Sequence, residues 1–171
     1  MAALFAQVTS VVLSLLSLAA APKPGPARVD EIRIDKSDHS LELVVEGAVY
    51  KRYRVAIGPG GDGPKQWEGD MKTPVGSYEV IAHYGIFHRF LHVNYPNAED
   101  RRRYARLARE GKVPAGAGIG DSIGIHGVND PDQAGVHKER DWTLGCIALD
   151  DAEIDEIARL APVGTKVVIT Q

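Results

Sequence analysis

The sequence predicts a mainly β domain with two helices, an α+β fold whose strands form a sandwich or a barrel-like body. Two observations carry this prediction. Through the first half of the domain, apolar and polar residues alternate with period two, which is typical of strands that bury one face. Two later stretches repeat their apolar residues with the period of a helix.

The alternating runs predict about seven short strands. In chain order, the apolar positions of the first four are Ile32 and Ile34; Leu41, Leu43 and Val45; Val49, Tyr53, Val55 and Ile57; and Tyr78, Val80 and Ala82. Three further strands are expected over residues 90–95, 123–126 and 166–169. Between the second and third runs, Glu46-Gly47 suits a tight hairpin turn.

Two helices are expected from their caps and periodicity. The first is predicted to follow the capping residue Asn97 and to stop at Gly111, and the second to start at Asp150 and end before Pro162. Their predicted inward-facing residues are Tyr104, Leu107 and Ala108 in the first helix and Ile154, Ile157 and Ala158 in the second.

The chain divides into three segments. Residues 1–21 contain an apolar run that ends in three alanines, and the first charged side chain is Lys23. This pattern predicts a secretory signal peptide, with an uncleaved N-terminal anchor as the alternative. Residues 22–28 include three prolines and a glycine and predict a linker, and residues 29–171 form the folded domain. We therefore expect an exported protein of the periplasm or cell envelope.

Charge and cysteine content exclude several classes of function. The net charge is −3, and every charged side chain follows residue 22, so the domain is weakly acidic and is not expected to bind nucleic acid. The single cysteine cannot form a disulfide within the chain. Stability must therefore come from packing. No partner protein is predicted, and we expect a monomer.

The clearest chemical signal is the pair formed by Cys146 and His126. A thiol is a strong nucleophile only as its thiolate, and its ordinary pKa of about 8.5 leaves little thiolate near neutrality. An adjacent imidazole removes this limit by taking the proton. Gly145 permits backbone angles that other residues disfavour, so N–H groups around Gly145 and Cys146 could point at one oxygen and form an oxyanion hole. The pattern indicates acyl transfer.

A metal site is the main alternative use of these residues. His126, His137, Cys146, Asp130 and Asp141 are all acceptable zinc ligands. Their spacing matches no zinc motif, and a zinc-bound thiolate would be a ligand and not a nucleophile, so we expect no metal and no cofactor. The remaining histidines, which have no matching neighbours in the sequence, are expected to be surface or loop residues: His39, His83, His88 and His92.

Four motifs in this order resemble the L,D-transpeptidase catalytic domain family (YkuD-type) of bacterial envelopes. They occupy residues 72–78 (Lys-Thr-Pro-Val-Gly-Ser-Tyr), 91–97 (Leu-His-Val-Asn-Tyr-Pro-Asn), 125–127 (Ile-His-Gly) and 143–147 (Thr-Leu-Gly-Cys-Ile). The resemblance spans essentially the whole predicted domain. It implies a YkuD-like, β-sandwich or barrel-like body that acts on peptidoglycan stem peptides without a cofactor.

The resemblance also implies roles for individual residues. Cys146 matches the nucleophile and His126 the base, and the N–H groups of Gly145 and Cys146, with Leu144, match the oxyanion donors. The carbonyl of Gly127 matches the group that orients the histidine. In the motif around the nucleophile, Thr143 keeps the hydroxyl of the serine that is common in the family.

One departure concerns substrate charge. The family commonly has an arginine where this chain has Ala148, which removes a guanidinium suited to a substrate carboxylate. Arg140, Lys138, His137 or Lys72 could supply the missing charge, and the sequence does not choose among them.

Trp142 either forms a wall of the acyl pocket or only packs against neighbouring residues. The stretch over residues 129–141 is expected to form a flap over the site. The substrate-pocket candidates are therefore Thr143, Trp142, Arg140, His137 and Lys72.

The function that follows is peptidoglycan L,D-transpeptidation. Cys146 would form a thioester with a stem tetrapeptide and pass the acyl group to an amine, which produces a 3-3 crosslink or a related change in the cell wall. The first alternative is a cysteine hydrolase on the same scaffold, in which water takes the thioester. The second is a wall-binding module that recognises stem peptides without turnover.

Overall fold

The computed structural model describes residues 25–171. The predicted signal peptide or anchor, and the first residues of the predicted linker, lie outside this range. Within it, no helix is both long and apolar enough to cross a membrane. The core begins at Val29, which is 2% exposed and whose N–H donates to the carbonyl of Leu160 at 2.8 Å.

Eight strands form one sheet in the order β3-β2-β1-β8-β4-β5-β6-β7. Their bounds are β1 Glu31–Asp35, β2 Ser40–Val45, β3 Ala48–Arg54, β4 Gly76–Tyr84, β5 Phe90–Val93, β6 Gly124–His126, β7 Ile147–Ala148 and β8 Lys166–Thr170. The pairs β1–β8 and β6–β7 are parallel and the others are antiparallel. The mainly β fold class is confirmed, and the sheet curves into a half-barrel.

The hairpin between β2 and β3 confirms the turn expected at Glu46-Gly47. These residues have φ angles of 51° and 80°, as a two-residue turn of type I′ requires. The prediction that Val49 faces the core is wrong. The β2–β3 pairing shifts between Leu43 and Val44, and Val49 then lies opposite Val44, on the face away from Leu43. Val49 is 51% exposed on this edge strand.

Two α-helices form where they were predicted, α1 over Ala98–Arg109 and α2 over Asp151–Leu160. The Asn97 side chain accepts the N–H of Glu99 at 2.8 Å and that of Asp100 at 3.2 Å, and the Asp100 carboxylate accepts the Asn97 N–H in return. This reciprocal capping box fixes the start of α1. The prediction that Ala108 faces inward is wrong: it is exposed, and Leu107 and Asp100 are the buried residues of α1.

Three short elements were not expected from the residue pattern: β7 and two 3-10 helices, over Pro131–Gln133 and Val136–Glu139. β7 has only two residues, too few to show alternation. This strand matters for the site because one of its two residues, Ala148, links the two edges of the sheet. Ala56, just after β3, exchanges hydrogen bonds of 3.1 and 2.8 Å with Ala148, so the first and last strands of the sheet approach each other.

Candidate active site

A cavity of about 850 Å³ at the β6–β7 end of the sheet holds both Cys146 and His126. One side of it is aromatic, and the other is formed by loops that carry charged residues. The lining residues are Lys65, Glu68, Gly69, Tyr84, Ile86, Phe87, Phe90, His92, Gly120, Asp121, Ser122, Ile123, His126, Trp142, Thr143, Leu144 and Cys146.

The parallel register of β6 and β7 explains why Cys146 and His126 share this cavity. Ile125 lies opposite Ile147, and His126 lies opposite Ala148. Residues opposite each other in a parallel pair point to the same face, and so do residues two apart in one strand. Cys146 therefore shares a face with His126, with their Cα atoms about 8 Å apart from strand spacing and rise. Ile125 and Ile147 are fully buried in the core on the other face.

The His126 ring is buried and oriented by a main-chain carbonyl. Its Nδ1 lies 2.6 Å from the oxygen of Gly127 and must donate, because a carbonyl only accepts. Burial lowers the pKa of His126 below its ordinary value, against the opposing effect of the Gly127 hydrogen bond, and His137 adds to the lowering. The ring is therefore neutral near pH 7, with an unprotonated Nε2.

Aromatic side chains surround the His126 ring. Phe90 stacks on the His126 ring with centroids 6.0 Å apart, and Phe87 approaches to 5.2 Å. Trp142 meets the ring edge-on at 6.0 Å and meets His137 in the same way at 6.2 Å on its other side. Trp142 thus lies between the two histidines. Phe87 is 55% exposed, so the aromatic side of the cavity continues to the protein surface.

Cys146 is partly exposed and sits in the cavity as a thiol. Burial raises the pKa of the Cys146 thiol, while the Gly124 N–H and the charge of Lys65 act in the opposite direction. The sulfur lies 3.6 Å from the carbonyl oxygen of Ser122, which can accept the S–H proton. Within residues 25–171 the sulfur makes no hydrogen bond to the His126 ring. Burial thus favours the neutral form of both groups, because it raises the pKa of the Cys146 thiol and lowers that of the His126 imidazole.

The turn before Cys146 is held by the hydroxyl of Thr143, which is 3% exposed. Thr143 Oγ1 donates to the Cys146 carbonyl at 2.7 Å and accepts the Gly145 N–H at 3.2 Å. The Gly145 N–H, an expected oxyanion donor, is thus engaged. The N–H groups of Leu144 and Cys146 donate to no acceptor in the described part of the chain. These two donors remain available to an oxyanion.

Gly145 is required by both conformation and space. Its φ is 125°, a region that residues with a side chain rarely adopt. A Cβ at this position would lie 2.6 Å from the carbonyl oxygen of Lys72 and 3.1 Å from Cδ1 of Ile123. The turn therefore packs directly on the backbone of the segment that carries the Lys-Thr-Pro motif.

The substrate-pocket candidates divide into three groups. Thr143 and Trp142 line the cavity of Cys146. Arg140 and His137 line a neighbouring cavity of about 520 Å³, which shares Trp142 with the first. Lys72 lines neither, and its Nζ donates to the carbonyl of Asp62 at 2.6 Å.

Lys138, another possible source of the missing charge, is also committed elsewhere. Its ammonium is buried and contacts Asp150 at 2.8 Å and, more closely, Glu153. His137 bonds the same Asp150 at 3.0 Å. These contacts fasten the segment predicted as a flap to the start of α2.

Two pairs of oppositely charged or titratable side chains have no signal in the residue pattern. Lys65 and Asp70 form a buried ion pair of 2.7 Å at the cavity wall. His39, expected to be a surface or loop residue, contacts the Asp141 carboxylate at 3.0 Å, and this carboxylate also accepts the Ile57 N–H at 3.0 Å. The partners of each pair come from loops, where residue type alone gives no signal of which charges meet. Of the other histidines, His92 lines the cavity and His88 bonds Asp155 at 2.9 Å.

The residues considered as zinc ligands do not come together. Residues 25–171 contain no group of three or more His, Cys, Asp or Glu side chains arranged to hold a metal ion. Asp141 is bound to His39 and His137 to Asp150, so two of the five candidates have other partners.

Comparison with known proteins gives one consistent family. The family model for the L,D-transpeptidase catalytic domain, YkuD, matches residues 30–169. YafK from Escherichia coli strain K12 is 31% identical over 134 residues, which are 74% of this chain and 44% of that protein. The chain therefore spans less than half the length of this relative.

Solved structures share the fold. The helical cell shape determining protein Pgp2 from Campylobacter jejuni is 24% identical with a TM-score of 0.61, covering 84% of this chain and 48% of Pgp2. The L,D-transpeptidase from Xylanimonas cellulosilytica is 16% identical with a TM-score of 0.52, covering 88% of this chain and 64% of that one. At these identities the likeness establishes the shape of the domain alone.

Proposed function

Because the chain belongs to the L,D-transpeptidase catalytic domain family, we propose that it is a peptidoglycan L,D-transpeptidase with Cys146 as nucleophile and His126 as base. The observation that carries the proposal is one cavity lined by a free thiol and by a neutral imidazole whose Nδ1 donates to a carbonyl. A neutral Nε2 can accept a proton from the thiol, which is the first requirement of cysteine acyl transfer.

The first half of the reaction forms a thioester. A stem tetrapeptide binds with the carbonyl of its third residue beside the Cys146 sulfur, His126 Nε2 takes the thiol proton, and the sulfur attacks the carbonyl carbon. The N–H groups of Leu144 and Cys146 donate to the oxyanion, and each such donor is typically worth about 3 kcal/mol in the transition state. The C–N bond then breaks, and the imidazolium returns the proton to the departing amine of D-alanine.

The second half transfers the acyl group. An acceptor amine reacts only as its free base, so His126 takes the amine proton as nitrogen attacks the thioester. The C–S bond breaks, the sulfur leaves as thiolate, and the imidazolium reprotonates it. The product with a second stem peptide is a 3-3 crosslink. If water is the acceptor, the same residues perform hydrolysis.

The direct test is incubation of the purified protein with a tetrapeptide-containing muropeptide. We expect release of D-alanine and, by mass spectrometry of the intact protein, an acyl adduct on Cys146. Cys146→Ala should abolish both, and His126→Asn should slow both strongly because no base takes the thiol proton. An unchanged rate of D-alanine release in Cys146→Ala would eliminate the mechanism.

The muropeptide products distinguish transfer from the alternatives. Crosslinked dimers support the transpeptidase. Shortened monomers without dimers support the hydrolase. Binding without release of D-alanine supports a wall-binding module. Matched reactions with and without a free-amine acceptor separate the first two outcomes, because only transfer responds to the acceptor.

Action on peptidoglycan requires export, which we propose residues 1–21 direct. Fusion of these residues to a reporter that is active only outside the cytoplasm should give signal, and deletion of residues 1–21 should remove it. Full reporter activity in the protein that lacks residues 1–21 would contradict this role in export.

A further inference from the structure

The ammonium of Lys65 lies in the wall of the cavity that contains Cys146. Lys65 is 4% exposed, and its Nζ lies 2.7 Å from Asp70 Oδ1. Both side chains of the pair are nearly inaccessible to water. A lysine is almost never buried to this degree unless an ion pair or hydrogen bonds compensate its charge. The ion pair therefore fixes a cation at one place beside the nucleophile.

Asp70 is saturated by donors other than Lys65. Its Oδ1 accepts the Lys72 N–H at 3.0 Å in addition to the ammonium, and its Oδ2 accepts the N–H groups of Gln66 at 2.6 Å and Trp67 at 3.3 Å. The loop over residues 65–72 is thus folded around this carboxylate. Three backbone N–H groups would continue to stabilise Asp70 if the ammonium turned part of its hydrogen-bonding capacity to another anion.

The Lys65 ammonium has hydrogen-bond donors that Asp70 does not use. An ammonium group has three N–H donors, and within residues 25–171 that of Lys65 makes one hydrogen bond, to Asp70. The side chain lines the cavity and is 3% exposed, so an acceptor for the others must bind directly against this part of the cavity wall. Burial raises the pKa of the Cys146 thiol, and the Lys65 charge acts in the opposite direction, as expected of a cation in the wall of the same cavity.

No other lysine or arginine lines this cavity in the described part of the chain. Glu68 and Asp121 line it as well, but both residues are exposed, and water and salt screen exposed charges far more than buried ones. The position where the family commonly carries arginine is Ala148, which is fully buried and brings no charge. The buried cation is therefore the group best placed to attract an anion toward Cys146.

We propose that Lys65 binds a carboxylate of the donor stem peptide and so determines which donors are accepted. This inference rests on the proposed function. The donor has the C-terminal carboxylate of the leaving D-alanine and, where its third residue is a diamino diacid, a side-chain carboxylate on that residue. The first lies directly beyond the scissile bond and the second at the end of the neighbouring side chain, and both are the anion type that a fixed ammonium recognises.

The test measures binding and does not depend on turnover. Calorimetric titration of the Cys146→Ala protein uses three tetrapeptides: the free acid, the C-terminal amide and the amide of the side-chain carboxyl. One of the amides should bind ~10- to 100-fold more weakly than the free acid, as loss of a charge-assisted hydrogen bond predicts. The amide that loses affinity identifies which carboxylate Lys65 binds.

Variants assign the preference to Lys65. In Lys65→Met the free acid and both amides should bind with equal affinity, and Lys65→Arg should keep part of the preference. Lys72→Met is the matched control, because Lys72 is a nearby lysine outside the cavity, and it should keep the full preference. The double variant Lys65→Met with Asp70→Asn removes both charges and provides a folded protein if the single variant unfolds.

Two results would overturn the proposal. Equal binding of all three peptides to the protein that retains Lys65 would mean that neither the C-terminal nor the side-chain carboxylate is recognised. A preference that persists in folded Lys65→Met would mean that Lys65 acts only through the fold of its loop. Failure of the proposed function looks different: the wild-type protein would release no D-alanine, whether or not the carboxylate preference is present.

Discussion

The Nδ1 atom of His126 and the carbonyl oxygen of Gly127 lie 2.6 Å apart. This hydrogen bond selects the tautomer with the proton on Nδ1 and leaves Nε2 as an acceptor. The Gly127 hydrogen bond by itself raises the pKa of His126, but burial of the ring lowers this pKa by more. The net lowering favours the neutral form of the ring.

The pH profile of kcat/KM should therefore have an acidic limb below the ordinary histidine pKa of 6.5. The base must be unprotonated, and burial lowers the pKa of His126, so activity is lost only as the pH falls through that lowered value. Phe87→Ala, which uncovers one side of the ring, should move the midpoint up toward 6.5. A wild-type midpoint at or above 6.5 would contradict the neutral-imidazole site.

Thr143→Val should slow thioester formation by about 10-fold, whereas Thr143→Ser should stay near the wild-type rate. Valine has the shape of threonine but lacks the hydroxyl that bonds both the Gly145 N–H and the Cys146 carbonyl. Loss of these bonds frees the turn that presents the sulfur, and a net cost of about 1.4 kcal/mol corresponds to that factor. Single-turnover mass spectrometry measures the rate of thioester formation. Equal rates in Thr143→Val and Thr143→Ser would show that the hydroxyl does not position the sulfur.

Gly145→Ala should destabilise the protein by about 3 kcal/mol or more. Its Cβ would meet the Lys72 carbonyl and would occupy a φ of 125°, so overpacking and backbone strain add together. Gly164→Ala is the control, because Gly164 has a φ of 89° but no atom near its Cβ position, and it should cost about 1 kcal/mol. Urea denaturation measures both changes. Equal losses of stability in the two variants would mean that the turn at Gly145 shifts to accommodate the added methyl group.

Asp70→Asn should lower the free energy of unfolding by about 3 kcal/mol at pH 7, since it breaks a buried ion pair. Burial raises the pKa of Asp70 in the folded state, but hydrogen bonds from Lys65 and from backbone N–H groups together outweigh it, so the net effect is a lowered pKa. The stabilisation is thus complete above the unfolded pKa of about 3.9 and is lost as the pH falls through the lower, folded value. The difference between the two proteins should shrink below pH 4, and a constant difference would show that charge is not its cause.

Elements that depend on residues adjacent in the chain could be predicted from the sequence. The Glu46-Gly47 turn, the Asn97 cap and the start of α2 after Asp150 follow from local conformational preferences and caps, and all three are present. The errors arose where pairing overrode the local pattern. Val49 is exposed because an irregularity shifts the β2–β3 pairing, and β7 is too short to have a pattern.

A lone thiol and a histidine in a Gly-Ile-His-Gly segment, within a motif set that indicates acyl transfer, can be identified from the order of residues alone. The positions of these two groups relative to each other follow from long-range pairing. The parallel pairing of β6 with β7 brings Cys146 and His126 to one face, and the fold of the 65–72 loop around Asp70 adds Lys65 to their cavity. Burial, which shifts the pKa of both reactive groups, depends on packing between segments distant in the chain, and such contacts have no signature in local sequence.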